Sequence, residues 1–345
     1  MPTRSLHVGV FGAGAIGSYL GARLSAAGCR VTLVGRPWLV EARARIQAIG
    51  LDQVPIAAAD SLVVSTEAAS LADVDVCLVT VKSAATDEAG RQLGQVLGDD
   101  AVVLSLQNGT TNVARLRAAG VRAPVIAGMV TFNIVSSEPA TFRKATSGPI
   151  MVGVGVGERF GAAIAAAGEP AIERQDIAAV QTAKLLLNLN NGLCAATGLS
   201  IADSVRAGEL RWCFSELIRE GLRATEALGM PVGRIGRLAP ALVARLLRAP
   251  NFIFSQLAGS FMRIDPAARS STLQDLDRGK PTEIDYLNGE VVALAERAGQ
   301  VAAANAAVVN KVHALESCGS RPDFWSPQEA QRAIGRALAG KPPSP

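Results

Sequence analysis

The chain has 345 residues, 49% of them hydrophobic, and a formal net charge of +4. That length exceeds one typical core and suits two domains. With no Lys/Arg block interleaved with aromatics, the modest positive balance lends nucleic-acid binding little support. No apolar run is long enough to span a membrane, and the first strand begins too early to leave room for a signal peptide. The five cysteines, Cys29, Cys77, Cys194, Cys213 and Cys318, are widely spaced with no C-x-x-C pair. They argue against a disulfide framework or a zinc site and for a reducing, cytoplasmic compartment.

In chain order, residues 6–11 read as a strand, then Gly12-Ala13-Gly14-Ala15-Ile16-Gly17 as a turn opening a helix over 14–27, and 30–34 as a second strand. A glycine-rich turn between a strand and a helix is the context in which G-x-G-x-x-G indicates dinucleotide binding. Gly12 permits the turn, Gly14 lets the backbone approach a pyrophosphate, and Gly17 lets the helix sit close to the strand. Ala13, Ala15 and Ile16 supply backbone N–H groups at the helix start, where phosphate is favoured. The second strand ends in Gly35 and Arg36, where NAD-preferring sites carry Asp or Glu for the ribose 2′-OH. A guanidinium with no carboxylate beside it fits a 2′-phosphate, so NADP(H) is the expected cofactor.

Further apolar runs at 76–81, 101–106 and 124–130, separated by helix-like segments, predict a Rossmann-type, doubly wound parallel sheet. Short runs at 53–58 and 61–66 suggest a local excursion. Segments 129–135, 140–144 and 149–154 look like antiparallel strands appended to that sheet, followed by a helix over 158–167. From Asp176, a plausible N-cap, the chain turns helical: Ile177 to Leu185 continues as a long helix, and further helices are expected near 207–229, 238–247, 281–299 and 302–316. The expected organisation is a dinucleotide-binding domain over 1–175, an all-helical substrate and catalytic domain over 176–340, and a disordered tail over 341–345.

Ligands of open α/β sheets sit beyond the carboxyl ends of the strands. Lys82 and Ser83 follow one strand there, and Gln107, Asn108 and Gly109 another. They are either ordinary loop residues or an ammonium near the cofactor or substrate and an amide near the carbonyl to be reduced. On the long helix, Lys184 and Asn188 are spaced i, i+4 and Asn191 lies at i+7, one polar face on an otherwise apolar helix, while Asn190 points elsewhere. Such a stripe is either solvated or lines a cleft. Thr282 to Asn288 contains further polar residues, readable as a helix start or as cleft lining.

Taken together these segments resemble the ketopantoate reductases (2-dehydropantoate 2-reductases). The resemblance covers nearly the whole chain: the glycine turn, Arg36, Val81-Lys82-Ser83, Gln107-Asn108-Gly109, Lys184-Leu185-Leu186-Leu187-Asn188, and Thr282-Glu283-Ile284-Asp285-Tyr286-Leu287-Asn288-Gly289. It implies reduction of 2-dehydropantoate to (R)-pantoate by NADPH, on the route to pantothenate and coenzyme A. Lys184 matches the general acid and Glu283 its partner carboxylate, which also belongs to the cofactor set. Asn188 and Ser271 match substrate-binding positions, and Lys82 and Asn108 match the junction of cofactor and substrate. The family pattern often has a second asparagine four residues after the one matched by Asn188; here that position is Gly192, with Asn191 beside it. Either Asn191 substitutes or the contact is missing.

Other reductase chemistries lack their residues. His7 lies in the first predicted strand and His313 late in a helix, and neither Tyr19 nor Tyr286 has a lysine four residues on. Two rivals stay open, a reductase of another 2-keto acid on the same fold and an NADP-binding regulator without turnover. The apolar helical domain also allows a homodimer.

Overall fold

The structure is a computed structural model that describes residues 5–137, 140–236, 239–252, 254, 256, 269–318 and 322–340. The tail over 341–345 lies outside the described residues. The chain divides into two compact units, Met1–Ile177 and Ala178–Pro345.

The first unit is built on β1 (His7–Phe11), α1 (Ala15–Ala26) and β2 (Arg30–Val34). β1 is wholly buried and pairs in parallel with β2 on one side and β6 (Val76–Val79) on the other. β7 (Val102–Ser105) and β8 (Val125–Val130) continue the parallel sheet, with α3 (Thr86–Val96) and α4 (Asn112–Ala118) in the crossovers. The outer strand beside β2 is β5 (Val63–Ser65). The order β5-β2-β1-β6-β7-β8 reverses direction between β1 and β6, and ligands of doubly wound sheets bind at the carboxyl ends there. The strands are continuous apolar runs because helices cover both faces of the sheet.

The appended strands differ from the expectation. β11 (Ile150–Gly153) does join the main sheet antiparallel to β8, and after the expected helix, α5 (Glu158–Ala166), β12 (Ala171–Arg174) follows beyond it. β9 (Ile134–Ser137) and β10 (Thr141–Lys144) instead leave for a second sheet of order β4-β3-β10-β9, with β3 (Gln47–Ile49) and β4 (Pro55–Ala57). Residues 55–57 thus belong to an excursion as read, whereas 63–65 return to the main sheet. Pairing β3 with β10 joins segments more than ninety residues apart (Gln47 with Thr141), and strand periodicity carries no information about such partners. The second sheet is tied down by a buried ion pair. Lys144 on β10 donates to Glu169 at 2.6 Å and lies 4.0 Å from the Phe132 ring centroid, and Tyr19 on α1 donates to the same carboxylate at 2.5 Å. Burial, then Glu169, pushes the Tyr19 phenol up, so it stays a donor.

The second unit is helical among its described residues. α6 (Ile177–Thr197) begins at the expected position, and the Asp176 carboxylate is held by Arg174. α7 (Ile201–Arg206) leads into α8 (Gly208–Ala227), whose buried Leu210, Cys213, Phe214, Leu217 and Ile218 recur at the helical period and form a core with Leu186, Leu189 and Leu193 of α6. α9 (Pro240–Leu247), α10 (Ser271–Asp277), α11 (Asn288–Arg297), α12 (Ala303–Glu316) and α13 (Pro327–Leu338) complete it. The helix expected over 281–299 is split into a 3-10 turn at Ile284–Tyr286 and α11.

Candidate active site

The glycine turn lies at the carboxyl end of β1. Gly12 adopts φ +95, and a Cβ there would stand 2.6 Å from the backbone nitrogen of Val81, so the loop after β6 leaves room only for glycine. At Gly17 a Cβ would sit 2.7 Å from Val10 and 2.9 Å from the Gly12 carbonyl, so α1 crosses β1 at backbone contact. Gly14 differs: a Cβ would meet nothing nearer than the Gly12 oxygen at 3.9 Å, and the residue is exposed. That open face is where a phosphate can approach.

Hydrogen bonds hold the turn. Gly12 and Ala13 donate to the Val34 carbonyl of β2 at 3.0 and 2.9 Å, and Thr80 donates to the Gly12 carbonyl at 2.7 Å. The start of α1 has no side-chain cap and no acid in its first turn, where Ala15 and Ile16 are half-buried. The helix dipole is therefore unopposed by local negative charge. The open Gly14 face and the uncapped, acid-free helix start fit a pyrophosphate. Arg36 is exposed at the start of a short helix, α2 (Pro37–Glu41), whose first turn contains no acid.

Lys82 is exposed just past β6, and Asn108 is half-buried past β7. Their loops are fastened together by a buried network of side chains. The buried Gln107 donates to Val81 O at 3.2 Å and to Thr86 Oγ1 at 2.8 Å, and it accepts from Ser105 at 3.0 Å. Thr86 donates to Asn112, and the Asn108 carbonyl accepts from Asn112 and Ser83. Ser105 ends β7 and Thr86 and Asn112 begin α3 and α4; polar residues at element ends are the signal that the sequence offers for this network.

In the helical unit, α6 carries Lys184, Asn188 and Asn191, each half-buried. Lys184 and Glu283 act on each other electrostatically. Burial pushes the Lys184 ammonium down from 10.5 to about 8, and the Glu283 carboxylate opposes that fall. Asn191 donates to Ser271 Oγ at 3.4 Å, bringing those two positions together. Ser271 is exposed, while its neighbour Ser270 caps α10 and donates to the Asn191 carbonyl at 3.1 Å. Asn190, buried, accepts from Ser204 at 2.8 Å and is structural. Asn288 is also fully buried and does not line a cleft. The chemistry this arrangement offers is a lysine that can hold or release a proton near neutrality, beside amide and hydroxyl groups suited to a carboxylate or hydroxyl.

Comparison with known proteins agrees with these features. Residues 8–157 match the family model of ketopantoate reductase PanE/ApbA, and residues 176–316 match the model of its C-terminal part. A 2-dehydropantoate 2-reductase of Halobacterium salinarum is 32% identical over 83% of this chain and 91% of that protein. The chain belongs to the ketopantoate reductase family. Members of this oxidoreductase family include a 2-dehydropantoate 2-reductase of Archaeoglobus fulgidus, 28% identical over 91% of this chain and 99% of that protein. Among solved structures, a PanE/ApbA family ketopantoate reductase from Ralstonia eutropha superposes with a TM-score of 0.79 at 29% identity, covering 90% of this chain and 98% of that one. D-mandelate dehydrogenase in complex with NADH and anilino(oxo)acetate shares the fold at a TM-score of 0.75 and 18% identity, over 90% of this chain and 98% of that one. Among the described residues no helix is long and apolar enough to cross a membrane, and no cluster of His, Cys, Asp and Glu could hold a metal ion.

Proposed function

We propose that this reductase converts 2-dehydropantoate to (R)-pantoate with NADPH, with Lys184 as the general acid. The observation that carries the reading is Lys184 itself: a lysine brought to about 8 by burial, paired electrostatically with Glu283, on the same helix face as Asn188 and Asn191. When bound, the nicotinamide cofactor supplies the hydride. Reduction of a ketone places negative charge on its oxygen, and a nearby ammonium both stabilises that charge and delivers the proton. Glu283 keeps the lysine charged, and it also belongs to the proposed cofactor set. Asn188, Asn191, Ser271 and Asn108 offer amide and hydroxyl groups to the substrate's carboxylate and hydroxyl. The turn from Gly12 to Gly17 holds the pyrophosphate, Arg36 takes the 2′-phosphate, and Lys82 contributes at the cofactor.

The presence of both Lys184 and Glu283 argues against a regulator without turnover. Gly192, where the family pattern often has asparagine, favours a second reading in which another branched 2-keto acid is the substrate. All five cysteines are free, which supports a reducing cytoplasm, and the apolar helical unit is compatible with a homodimer. Steady-state turnover of ketopantoate against other branched 2-keto acids, each with NADPH and NADH, tests the reading. Ketopantoate with NADPH is expected to give the highest kcat/KM, and a better rival acid would replace ketopantoate as the substrate.

A further inference from the structure

Gly192 has a structural cause that lies in a relay of buried amides. The carboxylate of Glu220 on α8 accepts from the backbone N–H groups of Ala304 and Asn305 at the start of α12, both at 2.9 Å, and from Asn305 Nδ2 at 2.8 Å. A carboxylate only accepts, so it decides which end of the Asn305 amide faces it. Asn305 Oδ1 must then face the other way, where it accepts from Asn288 Nδ2 at 3.0 Å. The same Nδ2 reaches the Leu189 carbonyl on α6 at 3.5 Å. Flipping Asn288 would set two carbonyl oxygens against each other.

The polarity imposed by Glu220 therefore ends on Asn288 Oδ1, which is buried without a hydrogen-bond partner. That oxygen faces Gly192: a Cβ on residue 192 would overlap it and would stand 2.7 Å from Ile284 Cδ1. The side chain missing from residue 192 makes room for the Asn288 carboxamide and for Ile284, leaving only a backbone C–H opposite the orphan acceptor.

We propose that Asn288, oriented by Glu220 and Asn305 and admitted by Gly192, is a positioning residue that sets the Glu283 segment against the helix bearing Lys184. The inference rests on the Lys184–Glu283 reading above. Glu283 lies five residues before Asn288 and directly precedes Ile284, the other side chain seated on Gly192. Lys184 lies about two turns before Gly192 on α6. The near end of the same segment is moored to α12, where Glu316 accepts from the Thr282 N–H at 2.8 Å and His313 pairs with Asp285 at 3.0 Å. The segment is thus fastened to α12 at both ends, and the Gly192–Asn288 contact gives it its register on α6.

The test is direct titration of Lys184 in the protein without cofactor, by NMR of 13C-labelled lysine. The chain has six lysines, and Lys184→Arg assigns the resonance. Gly192→Ala crowds the contact and Asn288→Ala empties it, so one variant remains informative if the other does not fold. Both are expected to lower the Lys184 midpoint by roughly 0.5 pH unit or more, because Glu283 is drawn off the ammonium. In a Glu283→Gln background neither should lower it further. An unchanged midpoint in a folded variant overturns the proposal, as does an equal shift in the Glu283→Gln background. Failure of the catalytic reading shows separately, as undiminished turnover when Lys184 itself is removed.

Discussion

Glu283→Gln removes the charge that opposes burial at Lys184 and keeps the size of the side chain. Lys184 stands at about 8 instead of 10.5 even with that carboxylate acting on it. At about 1.4 kcal/mol per tenfold, this is on the order of 3 kcal/mol against the ammonium. With Glu283 gone, burial acts alone and the midpoint falls further. Loss of a nearby opposite charge moves a pKa by roughly 1–3, and the lower end suits a half-buried lysine screened by solvent, giving a midpoint of about 7. A general acid must carry its proton, so the high-pH limb of turnover is expected to move down from about 8 to about 7. The protonated fraction then drops from about nine-tenths to about half at pH ~7, and from about half to about a tenth at pH ~8. Those changes are losses of roughly twofold and fivefold. The assay is NADPH oxidation followed by absorbance at saturating ketopantoate, across about pH 6 to 9.5. A uniformly lower profile with an unmoved limb would refute the electrostatic role of Glu283, and an upward shift would refute its sign.

Lys184→Ala is expected to cut turnover by roughly 10²–10⁴ while NADPH still binds, as judged by nucleotide fluorescence; full turnover would remove Lys184 from the mechanism. Arg36→Ala should raise KM for NADPH by roughly tenfold or more, the scale of a lost charge-assisted hydrogen bond, and leave KM for NADH unchanged; equal effects on both would defeat the 2′-phosphate assignment. Gly14→Val points a side chain into open space, so thermal unfolding should be nearly unchanged while NADPH affinity falls at least about tenfold; retained affinity would contradict close approach of the pyrophosphate there. Lys144→Met leaves the buried Glu169 with Tyr19 but no cation, and denaturant unfolding should show a loss of about 3–5 kcal/mol. A loss below about 1 kcal/mol would mean that the pair contributes no more than a surface ion pair.

The local features of the site were legible because they are short-range consequences of backbone chemistry. A strand, three spaced glycines and a helix can be read within one turn of chain, and the structure gives each glycine a distinct reason: contact with Val81 at Gly12, open space at Gly14, and contact with Val10 at Gly17. The face shared by Lys184, Asn188 and Asn191 follows from helical period alone. α13 also carries a legible signal at its start, where Ser326 and Glu329 form a capping box and Pro327 takes the first helical position. Asn288 shows the opposite case. It sits in a polar motif readable as a helix start or as cleft lining; it begins α11, and its Nδ2 is taken up by Asn305 and Leu189 in the core.

By itself the sequence determined the parallel sheet, the glycine-rich turn between strand and helix, the absence of a carboxylate at Arg36 and the one-sided polar face of α6. Each depends on residues within a strand, a turn or a helix of one another. Only the tertiary structure decided that β3 pairs with β10, that Gln107 fastens the loops of Lys82 and Asn108, and that burial and Glu283 oppose each other at Lys184. It also decided that Gly192 is glycine because a carboxamide from nearly a hundred residues away (Asn288) occupies its side-chain space. These outcomes depend on which distant segments share a core. Burial, the pKa it sets and the fit of a missing side chain are properties of that packing, and no local pattern encodes them.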